Sequence, residues 1–196
     1  MAQGSTRTPL CLLVRRAGAH AHSRRGFTLV ELLAVVALIG ILAALAVVGY
    51  RRYLNASKIG EAKEIIGQIH VAQASYKSQT QGYLNCSASI TDWYPAAPNG
   101  KKRAWVNAAH ASASCWKLLN VAQDAPTYYG FAVVAGVAGE TAPQASTVQK
   151  PNWPATTTEP WYVVQAAGDN DANGKYSYFV SSSFSPNDIY VENESE

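Results

Sequence analysis

The sequence predicts an α+β protein: one long N-terminal α-helix, apolar in its first half and amphipathic in its second, packed on a C-terminal antiparallel β-sheet. Three observations carry this. From Leu32 to Tyr50, nineteen consecutive residues bear no charge. At a rise of 1.5 Å per residue they make roughly 28 Å of helix, about the thickness of a bilayer's hydrocarbon core. Further on, Ile59, Ala62, Ile66, Ile69, Gln73 and Tyr76 recur at steps of three and four, which places them on one face of a helix. After residue 126 come short runs of aromatic and β-branched residues separated by turn formers, the pattern of consecutive antiparallel strands.

Residues 1–26 carry five arginines and no acid. Their apolar patch, Leu10 to Val14, is too short for a secretory signal core, and no Ala-x-Ala site follows it. The membrane-targeting segment is therefore the helix after Gly26. Phe27 to about Gln81 reads as a single helix, about 80 Å long if continuous. Arg24-Arg25 and Arg51-Arg52 bracket the apolar run, and the arginine-rich N-terminus fits a cytoplasmic start. Glu31 opens the run. A charge at the centre of a membrane helix costs about 2.5–3.5 kcal/mol, so a carboxylate here calls for a partner; the plainer reading is a carboxylate snorkelling at the headgroup boundary. Small residues Ala34, Ala37, Gly40, Ala43 and Ala44 would let helices approach closely, although ordinary membrane-helix composition gives the same pattern.

The string Gly26-Phe27-Thr28-Leu29-Val30-Glu31 and the apolar run behind it resemble the prepilin processing motif of type IV pilins and type II secretion pseudopilins. Ser57–Lys63 and Ala72–Tyr76 extend the likeness to about residue 83. The resemblance implies cleavage between Gly26 and Phe27 by a prepilin peptidase and N-methylation of the new Phe27 amine. It implies that Glu31 neutralises the N-terminal amine of a neighbouring subunit; a buried ammonium and a buried carboxylate each need a partner, and each supplies the other's. The implied partners are identical or related pilin subunits, the prepilin peptidase/methyltransferase and an assembly platform in the inner membrane. The implied precursor sits in the inner membrane with a cytoplasmic N-terminus and a periplasmic body, and the mature form in an extracellular pilus or periplasmic pseudopilus. The domain order becomes a leader, 1–26, a transmembrane and filament-core helix, 27–52, and a globular part, 53–196. Many family members place a proline where this chain has Val48. The leader is long for the family and Met1 is the only methionine; the expectation is that the translated leader is shorter.

The formal net charge of +3 belongs mainly to this leader. Without it, eleven Lys/Arg stand against thirteen Asp/Glu, which does not describe a nucleic-acid binder. Cys11 leaves with the leader. Cys86 and Cys115 remain in the exported part, and an even pair in an oxidising compartment reads as one disulfide, worth roughly 3–4 kcal/mol by chain entropy. Two free thiols are the alternative. A zinc site is disfavoured because no second Cys or His lies at ligand spacing.

Residues 82–126 read as a loop-rich region stapled by that bond, with Trp93, Tyr94, Trp105 and Trp116 interleaved. Its run Lys101-Lys102-Arg103 reads as a solvated turn, with single-stranded nucleic acid the sharper alternative. Strands are expected over 127–137, 161–167 and 176–182, an edge strand over 188–192, an irregular connection over 140–160 with four prolines, and a frayed acidic tail. Between the second and third strands, Asp169, Asp171 and Asn173 precede Gly174 in the order of the first half of a calcium loop. The bidentate acid of the second half is replaced by Val180, and the alternative is an Asn-Gly hairpin turn with solvated acids. No catalytic constellation or other cofactor motif stands out. His70 and His110 read as a surface histidine on the helix and one in the stapled loop. The chain is expected to be a filament subunit for motility, adhesion or DNA uptake rather than an enzyme. The rivals are a secretion pseudopilin and a membrane-anchored binding module that never polymerises.

Overall fold

The computed structural model describes residues 26–147, 151, 153–154 and 156–194. The segment 1–25, with Cys11 and Arg24-Arg25, lies outside them, as does the end of the acidic tail. The chain divides into two compact units, Met1–Leu45 and Ala46–Glu196. Helix α1 spans Leu29–Thr80 and belongs to both.

In the first unit every described residue is exposed, including Leu32, Leu33, Leu38, Ile39, Ile41 and Leu42. Here α1 is long and apolar enough to cross a membrane. An unbroken stretch of apolar side chains on all sides is a surface water cannot accept, so it requires lipid or other helices around it.

The second unit adds α2 (Ala113–Leu119), β1 (Tyr129–Gly136), β2 (Trp161–Gly168), β3 (Ser177–Ser182) and β4 (Ser185–Glu192). The strands form one antiparallel sheet in sequence order, the simplest result of short connections between successive strands. Period-two alternation sorts the side chains to two faces. Tyr129, Phe131, Val133, Val164, Ala166 and Phe179 join Ala62, Ile65, Ile66 and Ile69 of α1 in the main core. Burying each of these isoleucines contributes about 1.5–3 kcal/mol. The opposite face is covered too: Trp161, Val163 and Val180 pack with Ala142 and Ala145 of the irregular connection. Every residue of β2 is therefore buried.

The sheet edges are protected in different ways. Along β1, the Cys86 and Ser87 amides both donate to the Val133 carbonyl, and Tyr94 pairs with Phe131. On β4, Pro186, Asp188 and Glu192 discourage further strand addition. At Gly168 a side chain would collide with the Tyr129 ring, so this position accepts only glycine.

Two buried glutamines tie loops to this framework. Gln73 donates from Nε2 to the Leu84 carbonyl (2.7 Å) and accepts at Oε1 from the Leu84 amide (2.9 Å). Gln165 of β2 donates to Ser146 Oγ and accepts from the Ser146 amide, both at 2.8 Å. An amide side chain can satisfy a backbone donor and acceptor together, which explains a polar residue in an otherwise apolar stripe.

Two differences from expectation have clear causes. The helix face includes Ile65, which completes an i, i+3, i+4, i+7 stripe with Ala62, Ile66 and Ile69. The stapled region contains α2, whose Trp116 and Leu119 are buried and whose last turn closes on Asn120 in the left-handed conformation, φ 59°.

Gln73→Leu should lower stability by about 2–3 kcal/mol, because it keeps the volume but strands both Leu84 backbone groups without partners. Chemical denaturation of the full-length chain in detergent reads this directly. An unchanged midpoint would mean that water reaches Leu84.

Candidate functional site

Phe27 and Glu31 lie at the start of α1. Phe27 is 86% exposed and precedes the helix. Glu31 Oε2 accepts from the Thr28 amide (2.9 Å) and from Thr28 Oγ1 (2.8 Å), while the Glu31 amide donates back to Thr28 Oγ1 (3.2 Å). This is a reciprocal cap of the Thr-x-x-Glu type. It satisfies amides that an α-helix leaves without partners in its first turn. The carboxylate also sits at the positive end of the helix dipole. The capping role of Thr28 has a signal in the sequence, since Thr28-Leu29-Val30-Glu31 just before an apolar run is a recognisable helix start. The cap employs Oε2, so the same side chain that starts the helix presents a charge at its exposed end.

Cys86 and Cys115 form a disulfide with Cα atoms 5.3 Å apart, joining the segment along β1 to α2. Beneath it lies an aromatic cluster. Tyr94 stacks on Trp116 at 5.2 Å, and Trp105 meets Tyr94 edge-on at 5.4 Å and Trp116 at 5.6 Å. Such pairs add about 0.5–1.5 kcal/mol each beyond area burial.

The loop after β2 does not make a two-residue Asn-Gly hairpin. It runs from Asp169 to Tyr176, with positive φ at Ala172 (60°) and Gly174 (83°). Asp169 is buried, and its two carboxylate oxygens accept from the Asn173 and Gly174 amides at 3.1 and 3.2 Å. Asp171 Oδ1 accepts from the Asn173 amide, and Oδ2 from its side chain at 2.8 Å. Asp169, Asp171 and Asn173 thus come together through the loop's own N–H groups. Among the described residues, no group of three His, Cys, Asp or Glu side chains is placed to hold a metal ion.

Lys101, Lys102 and Arg103 are exposed. Lys102 Nζ lies 4.9 Å from the Tyr128 ring centre and Lys58 Nζ 4.5 Å from it, while Arg103 is fixed through its backbone to Thr127. His110 Nδ1 accepts from Ser112 Oγ at 2.7 Å, and its Nε2 lies 3.8 Å from Asp92. His70 departs most from expectation. It faces the sheet rather than solvent, with Nδ1 bonded to the Tyr162 hydroxyl and Nε2 2.9 Å from Ser181 Oγ.

Residues 21–47 match the family model described as the prokaryotic N-terminal methylation motif. The chain is 42% identical over 66 residues to the type IV major pilin protein PilA of Myxococcus xanthus, covering 34% of this chain and 30% of that one. It is 38% identical over 93 residues to the fimbrial protein EcpC of Eikenella corrodens, covering 46% and 56%. It is 39% identical over 62 residues to the type IV major pilin protein PilE1 of Neisseria gonorrhoeae, covering 32% and 34%. The matched stretches thus span between about a third and just over half of these relatives. No solved structure matches the chain.

Replacing both Cys86 and Cys115 by serine should cost roughly 3–4 kcal/mol, given their sequence separation of 29. Thermal melting of the full-length chain in detergent, with and without a reductant, measures the loss. Melting temperatures that agree between wild type and variant would show that the aromatic cluster holds the region unaided.

Proposed function

We infer that this chain, whose N-terminal segment is that of the type IV pilin family, is a structural subunit of a pilus-like filament. The observation that carries the reading is the exposed apolar half of α1, opened by a capped Glu31 within the N-terminal methylation motif. Before assembly the bilayer covers this surface. On assembly, the same surfaces of other subunits replace the lipid, and a repeated head-to-tail contact that does not close produces an open helical polymer.

A prepilin peptidase cuts after Gly26 and methylates the new Phe27 amine. The new amine is the one ammonium the process creates at the helix start. It meets the Glu31 carboxylate of a neighbour in an apolar surrounding, where an unpaired charge of either sign costs several kcal/mol. Thr28 occupies one oxygen of that carboxylate within its own chain, which leaves the other for the incoming amine. The pairing therefore fixes register as well as charge. An assembly platform in the inner membrane extracts the subunit, and the sheet unit and its stapled loop supply the surface for motility, adhesion or DNA uptake. A secretion pseudopilin would use the same assembly principle, but the similar proteins are named as pilins and fimbrial proteins, which supports the pilus.

Mass spectrometry of the mature N-terminus should find a methylated Phe27, and Glu31→Ala should abolish sheared filaments while leaving the protein in the membrane fraction. An intact leader with no filament in wild type would instead leave a membrane-anchored domain that does not polymerise.

A further inference from the structure

His70 lies where α1 meets β2 and β3. It is half-buried, and both ring nitrogens have partners on the sheet: Tyr162 of β2 and Ser181 of β3. The bonding pattern selects one tautomer of the neutral ring. Ser181 Oγ donates its only proton to the Asp188 carbonyl of β4 at 2.7 Å. It can therefore only accept from the ring, so Nε2 carries the hydrogen. Nδ1 then holds the lone pair and accepts the Tyr162 hydroxyl proton. One neutral tautomer satisfies every member of a chain that runs from β4 through β3 to α1 and on to β2.

We propose that His70 is an acid-sensitive clasp, holding α1 to the sheet while neutral and loosening that seam when protonated. Adding a proton at Nδ1 turns an acceptor into a donor and sets N–H against O–H. Tyr162 must then rotate its own proton away from the ring. Tyr162 is buried, and among the described residues its hydroxyl has no other hydrogen-bond partner to receive that proton. The charged groups near the seam do not offset the imidazolium. On α1, Lys77 donates to the Tyr83 hydroxyl (3.3 Å), which adds a second cation on the same side. Lys63 is engaged with Glu194 at 3.2 Å, beyond β4. From β2, β3 and β4 the ring meets hydroxyls and, through Ser181, the backbone carbonyl of Asp188, whose residue is exposed. Neither of the two ion pairs among the described residues includes His70 or Asp188.

Burial lowers the His70 pKa below its ordinary 6.5. The folded state thus binds this proton less readily than the unfolded chain. The clasp's contribution is complete above about pH 6.5 and declines as pH falls below that value, until the folded-state histidine itself titrates. The inference concerns the sheet unit and is independent of whether the chain polymerises.

The test is hydrogen exchange on the full-length chain in detergent, with rates corrected for the intrinsic effect of pH. Protection of β2 and β3 amides should fall by up to tenfold per pH unit below about 6.5, the limit for one linked proton. In His70→Gln, which keeps polar contacts but cannot titrate, that fall should be absent. In wild type at neutral pH, ¹⁵N shifts should report a neutral ring protonated at Nε2. A parallel fall in wild type and variant, or a ring charged at neutral pH, overturns the clasp. If the variant does not fold, the wild-type ring decides: a tautomer protonated at Nδ1, or titration at or above 6.5, refutes the proposal.

Discussion

The sheet unit depends on one requirement, that the inward face of α1 be covered. Ala62, Ile65, Ile66 and Ile69 cannot be buried by the helix that carries them. The antiparallel sheet supplies the cover through the alternate residues Tyr129, Phe131, Val133, Val164, Ala166 and Phe179. Because strand side chains alternate, the apolar Trp161, Val163 and Val180 fall on the face away from the helix and need a second cover. That cover comes from the irregular connection before β2, and this is why a segment without regular structure contributes Ala142 and Ala145 to a core cluster.

The polar groups admitted to this core act as connectors. Gln73 uses its complete amide on the Leu84 backbone, Gln165 uses its amide on the Ser146 amide and hydroxyl, and His70 uses both ring nitrogens on side chains of neighbouring strands. The energetic logic is asymmetric. A buried hydrogen bond adds only about 1 kcal/mol net, but losing one partner exposes the whole desolvation cost of the other. These residues therefore penalise alternative arrangements more than they favour the native one. The disulfide acts on the same region from another direction, by limiting the freedom of the unfolded chain between Cys86 and Cys115.

The first unit follows a different rule. Its helix has no core of its own, and its side chains are exposed on every side. It is held as a helix by backbone hydrogen bonds and by the Thr28–Glu31 cap. In an apolar medium a helix satisfies its own backbone, so such a segment can exchange one apolar environment for another without unfolding. A filament subunit that leaves a membrane needs that property.

By itself the sequence determined the long helix, its apolar and amphipathic halves, the order and direction of the strands, and the match to an N-terminal methylation motif over residues 21–47. Each is a local or periodic signal: nineteen uncharged residues, steps of three and four, or a short string before an apolar run. Tertiary structure alone decided the rest. The helix period marks His70 as a flanking position, but nothing in the sequence places Tyr162 and Ser181, 92 and 111 residues away, beside its ring. Nor does composition reveal that Gln73 would hold Leu84, or that Asp169 would turn inward to bind its own loop's amides. α2 is seven residues long and becomes stable because Trp116 and Leu119 enter a core assembled from distant segments. The reason is common to all of these. Pattern along a chain reports what a segment wants to bury, while the partner for a hydrogen bond or an aromatic ring is chosen only when remote segments are brought within contact distance.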